Sequence, residues 1–292
     1  MSEPRGTGPA GTAVVSIIIQ ARMGSTRLPG KVLLDLDGRP LLAHVIERAR
    51  AIASGSQVIV ATTTLERDRP IVRLALESGA RPFTGSEDDV LDRYYRAARE
   101  LGGDIIVRIT SDCPLLDPGV SEAVVRAFAV GEYDYASNTR PNSFPDGLDT
   151  EVFSFASLER CWHEAKRKSE REYVTQYIWS HPELLRIGNV RAEEDHSSAR
   201  WTVDTPEDLD FVRRVFEGLR RRRWKGYDYA QVLSVIREDG LQDPSGQFQR
   251  NEGLLRTLRE EGIAPEEIER LMRIDQAKHM DREGQVKEQD GT

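Results

Sequence analysis

Cysteine is nearly absent: Cys113 and Cys161 are the only two among 292 residues. Two thiols cannot build a disulfide framework, nor by themselves a cysteine-rich zinc site. Histidine is scarce too, and His44, His163, His181, His196 and His279 show no metal-ligand spacing such as HExxH. No apolar run approaches the ~20 residues that a membrane-crossing helix needs. The longest candidate, AVVSIII, is strand-sized, and the opening MSEPRGTGPAGTA lacks the basic start and apolar centre of a signal peptide. Excess positive charge is missing as well: 41 Lys plus Arg stand against 49 Asp plus Glu, a formal net charge of -8. The expectation is a reduced, cytoplasmic protein with no membrane and no nucleic-acid partner. An anionic small molecule in a locally basic pocket remains compatible with net acidity. The 38% hydrophobic content is ample for a large core.

The pattern along the chain is strand, helix, strand, helix for about 130 residues, the signature of an α/β fold with a mostly parallel sheet covered on both faces. VVSIIIQA and QVIVATT read as buried strands, and DIIVRITSD as a third. PLLAHVIERARAI, IVRLALESG, VLDRYYRAARELG and SEAVVRAFAVG read as helices, the last with Ser121 as N-cap. Further on, GLDTEVFSF and ARWTVD predict strands, and SLERCWHEAK and SEREYVTQYIWSH predict helices. TPEDLDFVRRVFEGL predicts a helix capped by Thr205, with Pro206 first and Asp208 completing a capping box. From Trp224 onward the pattern is helical and charged, without strands.

The strongest chemical signal is QARMGSTRLPGK, residues 20 to 31, directly after the first strand and so at the carboxyl edge of the sheet, where open α/β sheets bind ligands. Arg22, Arg27 and Lys31 bring three cations onto a glycine-containing loop whose free N–H groups suit a polyphosphate. The loop is not a Walker A sequence, because GxxxxGK[ST] is absent. Two carboxylates follow strands elsewhere: Asp112 in TSDCPLLDP and Asp204 in RWTVDTPEDL. Each has a plain structural reading, Asp112 as a turn-former and Asp204 as a helix N-terminal charge. Together they would also suit Mg2+, which takes one or two protein carboxylates and fills its octahedron with phosphates and water.

Strand-QARxGSTRLPGK-helix resembles the opening of the cytidylyltransferases that activate sugar acids, such as the 3-deoxy-manno-octulosonate and acylneuraminate enzymes. It is most similar to the branch named after spore coat polysaccharide biosynthesis protein F. The likeness continues through VIVATT, TGSEDDVLDRYYRAA, RITSDCPLLDP, GLDTEVFSF, SEREYVTQYI, RWTVDTPEDL and RNEGLLRTL, covering roughly residues 14 to 260. It implies a Rossmann-like three-layer nucleotidyltransferase fold (that of the nucleotide-diphospho-sugar transferases). The expected division is a flexible tail over 1–12, the catalytic domain over 13–223, a helical C-terminal extension over 224–275 and a disordered tail over 276–292.

The resemblance also implies the chemistry. CTP and a small acidic acceptor give a CMP-activated product and pyrophosphate, with Mg2+ on Asp112 and Asp204 and with Arg22 and Lys31 as further catalytic groups. The nucleotide would meet Gln20, Ala21, Arg22, Gly24, Ser25, Arg27, Lys31, Thr62 and Asp88. The acceptor region of the family corresponds to Asn138, Arg140, Asp149 and Glu151, with Arg171 and Glu172 on the same wall or paired on the surface. A homodimer is expected. Alternatives are a phosphonate or other phosphorylated acceptor, a nucleotide-sugar glycosyltransferase, and a nucleotide-binding module without catalysis. Asp88 and Asp89 also read as helix caps, Cys113 as a buried structural thiol, and the basic run LRRRRWK at 219–225 as a solvated helix end rather than a nucleic-acid contact.

Overall fold

The structure, a computed structural model, describes residues 13–224, 226–247, 250–272, 278–280 and 286–287. The expected tail at 1–12 and most of that at 276–292 lie outside the described residues. The first half alternates as its hydrophobic pattern requires. β1 (Val15–Gln20) is followed by the small hairpin β2 (Asp35–Leu36) and β3 (Arg39–Pro40), then α1 (Leu41–Arg50), β4 (Gln57–Thr63), α2 (Arg69–Glu77), β5 (Arg81–Gly85), α3 (Val90–Leu101), β6 (Ile105–Thr110) and α4 (Pro118–Val130). Next come β7 (Tyr135–Ser137), β8 (Glu151–Ser154), α5 (Phe155–Glu164), α6 (Lys168–Glu172), α7 (Gln176–Ser180) and β9 (Ile187–Val190). The chain continues with α8 (Pro206–Arg221), α9 (Tyr229–Glu238), α10 (Glu252–Glu260), α11 (Pro265–Met272), β10 (Lys278–Met280) and β11 (Val286–Lys287).

The large sheet has the order β11-β10-β9-β7-β8-β6-β1-β4-β5. It is mostly parallel, with β8 antiparallel to both β6 and β7, and β11 antiparallel to β10. Alternation along β1 builds the layers: Ile17 and Ile19 enter one core with α1, α4 and α8, while Ile18 enters the other with α3, α5 and α10. This is the Rossmann-like α/β fold expected, with both sheet faces covered.

Four local readings change. Pro118 starts α4 and Asp117 caps it, accepting from Gly119 and Val120, while Ser121 lies inside the helix and bonds Thr150. SEREYVTQYIWSH breaks into α6 and α7 at buried Val174, whose φ of 59 is strained for a β-branched residue. ARWTVD forms no ladder: only Arg200 bridges Asp146, and the amides of Trp201 and Val203 bond the carbonyls of Asp146 and Asp112. β10 and β11 lie where helices and a frayed end were expected. Thr205, Pro206 and Asp208 cap α8 as their order predicts.

The basic run at the end of α8 is neutralised locally: Arg220 pairs with Asp37, Arg221 with Glu217 and Asp239, and Arg222 with Glu238 and Asp239. Among the described residues, no helix is long and apolar enough to cross a membrane.

Candidate active site

β1 runs parallel to β4 on one side and to β6 on the other, so the sheet grows in opposite directions from it. Loops leaving β1 and β6 therefore part around a crevice at the carboxyl edge. Register sets Gln20 beside Thr110, so the basic loop and Asp112 start as neighbours. They flank a cleft of about 520 Å³.

The loop is shaped by its own backbone. The amides of Ser25 and Gly30 both donate to the Met23 carbonyl, at 2.9 and 3.0 Å. Gly30 takes a φ of 70, which a side chain would strain, and the turn delivers Lys31 into a single 3-10 turn, Lys31–Leu33. Buried Asp68 anchors the loop, accepting from the Met23 amide at 2.7 Å and from the Thr63 hydroxyl. No motif flags Asp68; its role follows from a loop amide that would otherwise lack a partner.

Lys31 is buried, and its Nζ donates to Asp112 Oδ2 at 2.9 Å and to Asp204 Oδ1 at 2.7 Å. The Val203 amide donates to the Asp112 carbonyl at 2.8 Å, tying the second aspartate's segment to the first. Asp204 Oδ2 also receives Arg27 at 2.9 Å and Arg200 at 3.2 Å. Burial opposes charge on Lys31, but Asp112 and Asp204 outweigh it and raise its pKa. Burial likewise pushes Asp112 up, and Lys31, with a hydrogen bond from Thr110, reverses this and holds it at about 2. Lys31 and Asp112 are therefore ionised at neutral pH, and the positive charge between the carboxylates is the Lys31 ammonium.

The two aspartates suit Mg2+ by donor chemistry. Both carboxylates reach one cation, which matches the one or two protein ligands this ion usually takes. Among the described residues, no group of three or more His, Cys, Asp or Glu side chains is arranged to hold a metal by itself. Substrate phosphates and water would have to complete the shell.

A second set of charges lines the same cleft. Glu151 pairs with Arg108 and accepts from Tyr135 at 2.6 Å and Thr175 at 2.5 Å. Asp149 pairs with Arg250, and Asp146 with Arg200 at 3.2 Å. Burial, then neighbouring Asp149, pushes Asp146 up to about 7 against the pull of Arg250 and Arg200. Burial raises Asp149 as well.

The C-terminal extension closes one wall. Arg27 reaches Glu252 at 3.2 Å, and Asn251, Glu252, Gly253, Leu254 and Arg256 line the cleft. The segment RNEGLLR carries this contact in its letters, but only the fold brings it to the basic loop.

Gln20, Ala21, Arg22, Gly24, Ser25, Arg27, Lys31, Asp112, Asp149, Glu151 and Asp204 all line the cleft, as do Arg140 and Glu172. Three expected contacts do not. Thr62 is buried within β4 between β1 and β5, its hydroxyl without a partner among the described residues. Asp88 is exposed outside the cleft. Asn138 spends its amide on backbone, donating to the Leu148 carbonyl and accepting from the Thr150 amide, both at 2.8 Å. Asp89 caps α3 through the Asp92 amide at 2.8 Å and pairs with Arg171 at 2.5 Å. Burial and Asp112 push the Cys113 thiol well up, leaving it a poor nucleophile, and among the described residues no histidine lines the cleft.

The charges do not cancel. Arg22, Arg93 and Arg256 line the cleft with no ion-pair partner among the described residues. Arg93 is 2% exposed and, among the described residues, its side chain holds only the Ser86 carbonyl, at 2.7 Å. Burial lowers its pKa, with Arg22 among the cations nearby. Guanidiniums that line a cleft without an ion-pair partner are suited to an anion.

Known proteins resemble this chain in sequence and fold. The cytidylyltransferase family profile matches residues 16–234. The chain is 33% identical to spore coat polysaccharide biosynthesis protein SpsF of Bacillus subtilis, over 70% of this chain and 86% of that protein. It is 41% identical to a 3-deoxy-manno-octulosonate cytidylyltransferase of an Anaeromyxobacter species, over 69% of this chain and 96% of the relative. A solved cytidylyltransferase from Leptospira borgpetersenii superposes with a TM-score of 0.73 at 31% identity, over 78% of this chain and 96% of that one. With the basic loop after β1, the paired aspartates and these matches in hand, the chain belongs to the cytidylyltransferase family and is a CTP-dependent nucleotidyltransferase.

Proposed function

We propose that this protein transfers CMP from CTP to a hydroxyl of an acidic acceptor, a nonulosonic or octulosonic sugar acid, with release of pyrophosphate. The observation that carries the reading is the surplus of unpaired guanidinium in the cleft beside the Lys31–Asp112–Asp204 cluster. The acceptor hydroxyl attacks the α-phosphorus in line, the bond to pyrophosphate breaks, and the hydroxyl proton passes to water. Arg22 and Arg93 meet the triphosphate, and Arg27 and Lys31 add charge at the mouth of the basic loop. Stabilising the departing pyrophosphate in this way is worth ~10²–10³ in rate for each such group. Mg2+, held by Asp112 and Asp204, would supply further positive charge at the α-phosphate when bound. Asp112 is suited to that task because Lys31 keeps it ionised. We propose also that the chain assembles as a homodimer.

The test is product identification. CTP and Mg2+ are incubated with 3-deoxy-manno-octulosonate, N-acetylneuraminate, 2-hydroxyethylphosphonate and glycerol 3-phosphate, and products are read by mass and by pyrophosphate release. A CMP adduct of a sugar acid, equimolar with pyrophosphate, is expected. Adducts confined to the phosphonate or phosphate would refute the sugar-acid reading.

A further inference from the structure

Helix α10 walls the cleft on one side, yet it begins after the family-matched residues 16–234 have ended. Its docking is firm. Leu254, Leu255 and Leu258 are buried in the core that also holds α3 and α5. At its end, the Glu261 carboxylate accepts from the Ser169 amide and hydroxyl, each at 2.7 Å. Just before its start, Arg250 pairs with Asp149 and donates to the Phe144 carbonyl at 3.2 Å. Gly253 lets the first turn approach Tyr173, whose hydroxyl an added Cβ would meet at 3.0 Å. Glu252 joins the helix to the basic loop through Arg27, at 3.2 Å.

Arg256 is spent on none of these anchors. It follows Glu252 by one helical turn, on the same face, and lines the cleft with no hydrogen bond or ion pair to its guanidinium among the described residues. Burial raises the pKa of the cleft residue Tyr173, and a hydrogen bond with Thr257, then Arg256 and Arg22, pull it back, so both guanidiniums act on one hydroxyl. Arg22 is in turn among the cations that act on buried Arg93, whose Nε has no hydrogen-bond partner among the described residues. Three guanidiniums without carboxylates thus share one part of the cleft, two from the family-matched residues and one from the extension. A carboxylate or a single phosphate is filled by one such fork, whereas a polyphosphate offers oxygens to several. None of the three pairs with Asp112 or Asp204, where the α-phosphorus reacts, so the phosphates they suit are the departing ones.

We propose that Arg256 binds the β- and γ-phosphates of CTP from the side opposite the basic loop, so that the C-terminal extension builds part of the nucleotide site. Arg256 is then a substrate-binding residue contributed from beyond the family-matched domain, and α10 is the support that aims it. The inference rests on the reading that the cleft takes CTP, and it holds whatever the acceptor is.

The experiment measures the affinity of the full chain for CTP and for CMP, with Mg2+ and no acceptor, by titration calorimetry in wild type, Arg256→Gln, Arg256→Lys and Arg259→Gln. Arg259 is exposed on the same helix and does not line the cleft, so its loss changes net charge equally without removing the contact. CTP affinity should fall about tenfold in Arg256→Gln, as loss of one charged hydrogen-bonded pair at an exposed position requires, with CMP affinity within about twofold of wild type. Arg256→Lys, which keeps charge but loses the fork, should fall between. Arg259→Gln should stay within about twofold of wild type for both nucleotides. Without nucleotide, the Tm of all four proteins should agree, because an exposed side chain without a partner holds no part of the fold. CTP affinity unchanged in Arg256→Gln, lowered equally in Arg259→Gln, or lowered by the same factor as that for CMP would overturn the inference. CTP that binds wild type, binds Arg256→Gln more weakly and is passed to no acceptor would defeat the proposed function while supporting this contact. No CTP binding by wild type would defeat both.

Discussion

Lys31→Met removes the ammonium that joins the two aspartates while keeping much of the side chain's length. Asp204 retains Arg27 and Arg200, but Asp112 loses the only cation paired with it among the described residues. Removing one partner of a buried ion pair costs ~3–5 kcal/mol, but both carboxylates are 23% exposed and water recovers part of that. The expected loss is about 2–3 kcal/mol, or roughly 4–10 °C in Tm for a chain of this size. Two facing carboxylates without their lysine should also bind a divalent cation more tightly, so added Mg2+ should restore most of the lost Tm in Lys31→Met while shifting wild type less. Pyrophosphate release should fall by ~10²–10³ even with Mg2+ present. Differential scanning fluorimetry across an Mg2+ titration, with a coupled pyrophosphate assay, reads all of this. A Lys31→Met protein with wild-type Tm, no added response to Mg2+ and undiminished turnover would refute the reasoning.

Gly147→Ala should be severe. Gly147 has a φ of 119, and an added Cβ would meet the backbone of Trp201 and Thr202 at 2.8 and 2.9 Å. The contact would push the 199–204 segment, and Asp204 with it, away from Asp112, at a cost of ~3 kcal/mol or more by denaturant unfolding, with activity lost in parallel. Asp146 binds its proton more tightly folded than unfolded, with a folded pKa of about 7. Wild-type stability should therefore fall as pH rises from the ordinary carboxylate range through about 7, and Asp146→Asn should flatten that slope in urea melts at pH 5 and pH 8. A steeper slope in the variant would show the sign to be wrong. Cys113→Ser should keep pyrophosphate release within about threefold, because the buried thiol takes no part in an attack by the acceptor hydroxyl.

The half of the fold built from alternating strands and helices is legible because burial on both sheet faces demands continuous apolar strands and one-sided helices, as β1, β4 and α3 show. The basic loop is legible because three cations, two glycines and a proline follow a strand at once. Legibility fails where partners are distant in the chain. ARWTVD has a strand's alternation, but its amides go to two loops, so no ladder forms. Thr62 lies near the end of a strand at the binding edge, yet its side chain is buried in the core and does not line the cleft. Asn138 carries a polar amide beside the cleft, but two backbone groups consume it. Asp68 and Asp146 lie in no motif, Arg93 and Arg200 lie unflagged inside longer ones, and what singles out all four is burial and the partner each has or lacks. Lys31 is expected on the phosphates from its loop, and only the fold brings it between the two aspartates.

The central claim is that Lys31, Asp112 and Asp204 form the reaction centre for CMP transfer. Pyrophosphate release from CTP, measured with the best acceptor for wild type, Asp112→Asn and Asp204→Asn whose circular dichroism matches wild type, tests it most directly. A fall of at least ~10² in kcat for both variants is predicted. Turnover within threefold of wild type in either folded variant would contradict it.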